Sequence, residues 1–165
     1  MLRLFLILGM VLTFASALMP AQAAVRIETA DLQGPRLLQE QTRRAVIRDY
    51  LQSWQSLTAA LEQNRANLLD PDFVGAARDT LTSTIQQQSA LGISTRYQDR
   101  AHDLQVVFYS PEGLSIELTD NVEYDVQLLD HGKVKATQHV SARYVIVMTP
   151  AEVRWRVRVF QGRQR

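Results

Sequence analysis

Apolar residues recur at helical spacing in the first half of the chain and at strand spacing in the second. Ile47, Tyr50, Leu51, Trp54, Leu57 and Leu61 follow one another at steps of three, one, three, three and four, which draws one stripe of an amphipathic helix. Arg44, Arg48, Asp49, Gln52 and Gln55 fall on the opposite face and are expected in solvent. Gly34-Pro35 marks the start, because proline at the first helical position gives up only an N–H that has no partner there. Asp70-Pro71 repeats the signal with Asp70 as cap acceptor. Phe73, Ala77, Leu81 and Ile85 carry a second stripe, which Gly92 closes.

After Gly92 the period drops to two. Leu104, Val106 and Phe108 alternate before the turn sequence Ser110-Pro111-Glu112-Gly113. Leu114, Ile116, Leu118, Val122, Tyr124, Val126 and Leu128 then face one way and the polar residues between them the other, so a long strand with one buried face is expected. Asp130-His131-Gly132 reads as a three-residue hairpin loop. Val134, Ala136, Val140, Ala142, Tyr144, Ile146 and Met148 return along the same face. A four-residue loop, Thr149-Pro150-Ala151-Glu152, leads to Val153, Trp155, Val157 and Val159, with Arg154, Arg156 and Arg158 pointing outward. These loops set Leu128 opposite Val134, Tyr124 opposite Gln138, Leu118 opposite Tyr144, Tyr144 opposite Val157 and Ile146 opposite Trp155. The expected fold is α+β, with N-terminal helices packed on one face of a curved antiparallel β-meander.

The first residues stand apart from this plan. Arg3 precedes an apolar run from Leu4 to Leu18, followed by Pro20 and Ala21-Gln22-Ala23. That is the layout of a secretory signal peptide cleaved after Ala23. The alternative is a retained anchor, since Leu2 to Met19 is 18 residues and sits at the short end of a bilayer span. The expected organisation is a signal peptide at 1–23, a flexible lead at 24–34 and one α+β domain at 35–162, in the periplasm or outside the cell. No stable membrane span is expected after cleavage.

Composition removes several classes of function. The chain has 165 residues, room for one domain, and no cysteine, so thiol catalysis and disulfide scaffolds are excluded. With 18 Lys and Arg against 17 Asp and Glu, and Arg3 in the leader, the mature charge balances and nucleic acid is not an expected partner. Glycine-rich phosphate loops and G-x-S-x-G elbows are missing, so no cofactor is expected. His131 falls in a turn, His139 on the outer face and His102 ahead of a strand, so no metal set is expected.

The order of elements, the long strands Leu114 to Leu128 and Lys133 to Met148, and the closing Arg154-Trp155-Arg156-Val157-Arg158-Val159-Phe160 resemble the nuclear-transport-factor-two-like superfamily, with its SnoaL-like and ketosteroid-isomerase-like members. The resemblance covers about residues 40–161 and carries no catalytic signature. It implies a cone-shaped cavity able to hold a small apolar ligand, and no particular chemistry.

Three readings follow. Trp54, Tyr124, Gln138, Tyr144 and Trp155 are expected to line the cavity of a non-enzymatic binding or assembly domain. Alternation also points Asp120 inward, opposite Ala142, where desolvation would favour a general base; a cofactor-free lyase or isomerase is the second reading. The resemblance implies the same arrangement, a cavity carboxylate assisted by tyrosine or histidine. On the outer face, Val145, Val147 and Arg156 are expected to form a homodimer contact, because arginine stems are apolar along their length. The third reading is a subunit of an envelope-associated complex tethered by residues 24–34.

Overall fold

The computed structural model describes residues 22–28, 32 and 36–164. The leader up to residue 21 and the start signal at Gly34-Pro35 lie outside the described residues. Five strands form one sheet in chain order: β1 (Ala24–Ile27), β2 (Ile93–Tyr109), β3 (Ile116–Asp130), β4 (Lys133–Pro150) and β5 (Trp155–Gln164). Two helices, α1 (Glu40–Gln63) and α2 (Gly75–Ala90), pack on one face.

The α1 stripe is buried as its spacing requires, with Ile47, Tyr50, Trp54, Leu57 and Leu61 in the core. Asp49 departs from the expected solvated face. Its Oδ2 accepts the Trp155 backbone N–H at 2.8 Å and its Oδ1 accepts from Arg48, so a satisfied carboxylate is buried at the start of β5. α2 begins five residues after Asp70, whose carboxylate takes the Arg78 guanidinium instead of capping the helix. The intervening chain is diverted to the sheet edge: Val157 N–H donates to Asp72 O at 2.8 Å, and Val74 N–H donates to Val157 O at 2.9 Å. Phe73 therefore sits at a bridge to β5 and not on a helical stripe.

β2 is much longer than the alternation of Leu104, Val106 and Phe108 announces, and it takes in His102, expected ahead of the strand. A bulge between Val106 and Phe108 reverses the facing, so Tyr109 is buried and Phe108 is exposed. β1 runs parallel to β2, from Ala24 beside Ala101 to Ile27 beside Leu104, inside the segment expected to be a flexible lead. The sheet is thus mixed, with the meander confined to β2 through β5.

Both hairpin registers differ from expectation. His131 and Gly132 adopt φ of 49° and 74°, the pair of left-handed residues of a two-residue turn, and Asp130 pairs with Lys133. A bulge at Leu128/Leu129 then sets Tyr124 opposite Val140, Leu118 opposite Ile146 and Asp120 opposite Tyr144. From Ile116 to Val126 the shift is two residues and the inner face keeps its membership, but at the bulge Leu129 is buried in place of Leu128, and Val134 and Ala136, expected on that face, are exposed. In the second hairpin Pro150 pairs with Trp155 and Met148 with Val157, and a further irregularity sets Ile146 opposite Phe160. That exchanges Val159 for Phe160 on the inner face.

Candidate functional site

Five elements deliver polar and aromatic side chains to one place on the inner face: Tyr50 and Trp54 from α1, Tyr97, Asp99 and His102 from β2, Asp120 and Tyr124 from β3, Tyr144 from β4 and Phe160 from β5. Asp120 has no solvent exposure. Its Oδ2 accepts the Tyr50 hydroxyl at 2.7 Å and the His102 Nδ1–H at 2.7 Å. Its Oδ1 is buried with no hydrogen-bond partner, and so is Asp99 Oδ1. Asp99 Oδ2 accepts the Trp54 indole N–H at 2.9 Å.

His102 lies between these two carboxylates and is 3% exposed. Burial works against its charge, but hydrogen bonds and Coulomb attraction from Asp120 and Asp99 outweigh it and raise the imidazole from 6.5 to about 9. At neutral pH the ring is an imidazolium held by two acids. Burial, followed by the neighbouring Asp120 charge, pushes the Tyr50 hydroxyl well above the ordinary phenol range, so it remains a donor.

Trp54 occupies the centre of the cone. Its ring centroid stands 5.1 Å from His102, 5.5 Å from Tyr144, 5.8 Å from Tyr124, 6.1 Å from Tyr97 and 6.2 Å from Phe160. Tyr97 stacks on Tyr124 and Tyr144 on Phe160, both at 4.7 Å, and the Tyr124 and Tyr144 hydroxyls meet at 3.1 Å. Gly162, opposite Tyr144, permits this packing: a Cβ there would stand 2.5 Å from the Tyr144 ring. Outside the indole, an open depression is bordered by Val25, Leu51, Tyr97, Asp99 and His102. Among the described residues no group of three acids or histidines is placed to hold a metal ion.

Asp120, Tyr124 and Tyr144 meet here on the face that alternation gives them, and Trp54 joins them from the helical stripe of α1. Gln138 is not: the register shift pairs it with Val126 instead of Tyr124, and it is exposed. Trp155 is also elsewhere, packed on Tyr109 where β5 begins. On the outer face Val145 lies beside Thr119 and Gln161, and Val147 beside Glu117 and Val159. Arg156 turns from that face to donate to the Asp70 and Phe73 carbonyls, which takes it out of the expected contact. Sequence reasoning missed Tyr50, whose hydroxyl function is hidden in a core stripe, and His102. Carrying the Leu104 and Val106 alternation one step back reaches His102.

Solved structures share the fold at low sequence identity. The intermembrane space region of the chloroplast protein ARC6 matches with a TM-score of 0.58 and 13% identity, over 79% of this chain and 100% of that one. The hexachlorocyclohexane dehydrochlorinase LinA-type3 from Novosphingobium barchaimii LL02 gives 0.52 and 11%, over 75% and 87%. A periplasmic fragment of TraM gives 0.51 and 15%, over 72% and 98%. The fold is the nuclear-transport-factor-two-like one, and fold alone assigns no activity. No family model matches the chain, and no curated protein matches it in sequence.

Proposed function

We propose that this nuclear-transport-factor-two-like chain is a non-enzymatic binding and assembly domain of the periplasm or extracellular space, which pairs its outer sheet face with a second copy of itself. The observation that carries this reading is Trp54. In a catalytic or ligand-carrying cone the centre is open to a small molecule, whereas here the indole fills it and touches five aromatic rings. A ligand reaching past the open depression outside the indole to the centre of the cone would have to displace Trp54.

The outer face offers the contact. Val145 and the 37%-exposed Phe108 lie among Gln105, Glu117, Arg143 and Arg163 along one groove. Both signs of charge on one patch are what a two-fold, self-complementary contact needs. The leader layout, the periplasmic TraM fragment and the intermembrane space region of ARC6 support an envelope compartment. No helix among the described residues is long and apolar enough to cross a membrane. Sedimentation velocity on the processed protein should give a dimer at micromolar concentration that Val145→Glu converts to monomer. Monomer alone at high micromolar concentration removes the reading.

A second reading rests on a different observation, the free Asp120 Oδ1 beside a His102 imidazolium and the Tyr50 hydroxyl. The carboxylate would take a proton from carbon and the His102 imidazolium would donate a ring N–H to the developing oxyanion, while the Tyr50 hydroxyl holds Asp120 in place, which is cofactor-free isomerase or lyase chemistry. Deuterium exchange into a panel of small cyclic ketones tests it. Exchange that is equal for the native protein and Asp120→Asn removes it.

A further inference from the structure

A second concavity lies outside the cone, between β1 and α1. Ile27, Ile47 and Leu51 form its apolar floor, and Arg43, Arg44 and Arg48 stand along its rim. The slot holds about 510 Å³. Arg43 and Arg44 share one carboxylate, Glu40, and Arg48 pairs with Asp49, which is buried beneath it. Arg44 and Arg48 therefore face solvent with the 30%-exposed Arg43 beside them, and the three guanidinia outnumber the two carboxylates they pair with by one positive charge. Arg44 and Arg48 are 78% and 70% exposed, and the neighbouring Val25 and Ile27 of β1 are 45% and 46% exposed.

The leader places this slot near a membrane. Its apolar stretch ends at Met19 and β1 begins at Ala24. Five residues reach at most ~18 Å when fully extended. Whenever the leader is in a bilayer, during export or for as long as it stays attached, β1 is held within that distance of the headgroups. The chemistry of the slot matches what it then meets: guanidinium N–H groups donate to phosphate oxygens, and an apolar floor packs against the first methylenes of an acyl chain.

We infer that the slot between β1 and α1 docks the domain onto an anionic phospholipid surface, with Arg43, Arg44 and Arg48 on the headgroup phosphates and Ile27 and Leu51 against the upper acyl chain. The inference rests on the export part of the proposed function, which a reporter-enzyme fusion reads separately. It does not depend on the dimer.

The test uses the full chain reconstituted in vesicles of phosphatidylcholine alone or with about one third phosphatidylglycerol. Amide hydrogen exchange is read across residues 24–28 and 40–55. The expected result is exchange slowed at least ~3-fold by phosphatidylglycerol at low salt, with the effect lost at about 0.5 M salt because the contact is ionic. Arg44→Glu should abolish it. Equal exchange in the two vesicle types overturns the inference, as does an Arg44→Glu protein that still responds. Equal protection by inorganic phosphate over phosphatidylcholine vesicles would assign the slot to a soluble anion and overturn the bilayer as its occupant.

Discussion

His102 and Asp120 are diagonal neighbours on the inner face of β2 and β3, one register step removed from the Leu104–Asp120 and His102–Val122 pairs, and their side chains close to 2.7 Å. A diagonal pair on adjacent strands is within reach of long polar side chains. With Tyr50 descending from α1 onto the same oxygen, three elements are tied through one carboxylate.

This pair makes stability depend on pH. The His102 imidazole titrates near 9 in the fold against an ordinary 6.5, so its contribution is complete below about pH 6.5 and is lost as pH rises through 9. The shift corresponds to on the order of 3 kcal/mol. Denaturant melts from pH 6 to 10 should show that decline, and His102→Gln should flatten it.

Removing the acid leaves an imidazolium buried beside Asp99 alone. Asp120→Asn should cost about 3 kcal/mol or more, the usual penalty for breaking one side of a buried ion pair. It should also bring the His102 titration, followed by ring-proton NMR, down towards neutrality. An unchanged titration would mean that Asp99 holds the proton.

Gly162 is set by contact rather than by backbone conformation. A methyl group there would meet the Tyr144 ring at 2.5 Å, so Gly162→Ala should displace the ring from Phe160 and Tyr124. A cost of about 1–3 kcal/mol is expected from overpacking, with a changed near-ultraviolet circular dichroism spectrum.

Trp54 is the plug of the cone. Trp54→Ala should lower stability by about 3–5 kcal/mol and leave a void walled by Tyr97, Tyr124, Tyr144 and Phe160. Calorimetry should detect indole binding to this variant and none to the native protein. Binding of indole to the native protein would mean that the cone opens unaided.

Much of the fold was legible because facing depends on local period. The α1 stripe from Ile47 to Leu61, the inward path of Asp120, Tyr124 and Tyr144, and the α+β layering all follow from residues a few positions apart. The bulges at Val106/Phe108, Leu128/Leu129 and Val147/Met148 were not legible. A bulge is one extra residue in a ladder, and only the partner strand shows that it is extra. Gln138 was misplaced by the Leu128/Leu129 bulge together with a turn one residue shorter than expected, and Trp155 because the second loop spans residues 151–154, two residues later than expected. Arg156 was misplaced because carbonyls at Asp70 and Phe73, more than 80 residues away, offered it acceptors.

By itself the order of side chains determined which residues turn inward wherever the ladder is regular, since alternation survives any slip of two; past the bulges Tyr109, Leu129 and Phe160 took the inward places expected for Phe108, Leu128 and Val159. Which of them meet was decided only when β2 paired with β3 and α1 closed over both. The meeting of Tyr50, His102 and Asp120 spans 18 to 70 positions of chain, and contacts at that separation are written in the register of strands and the seating of a helix, which no local pattern encodes.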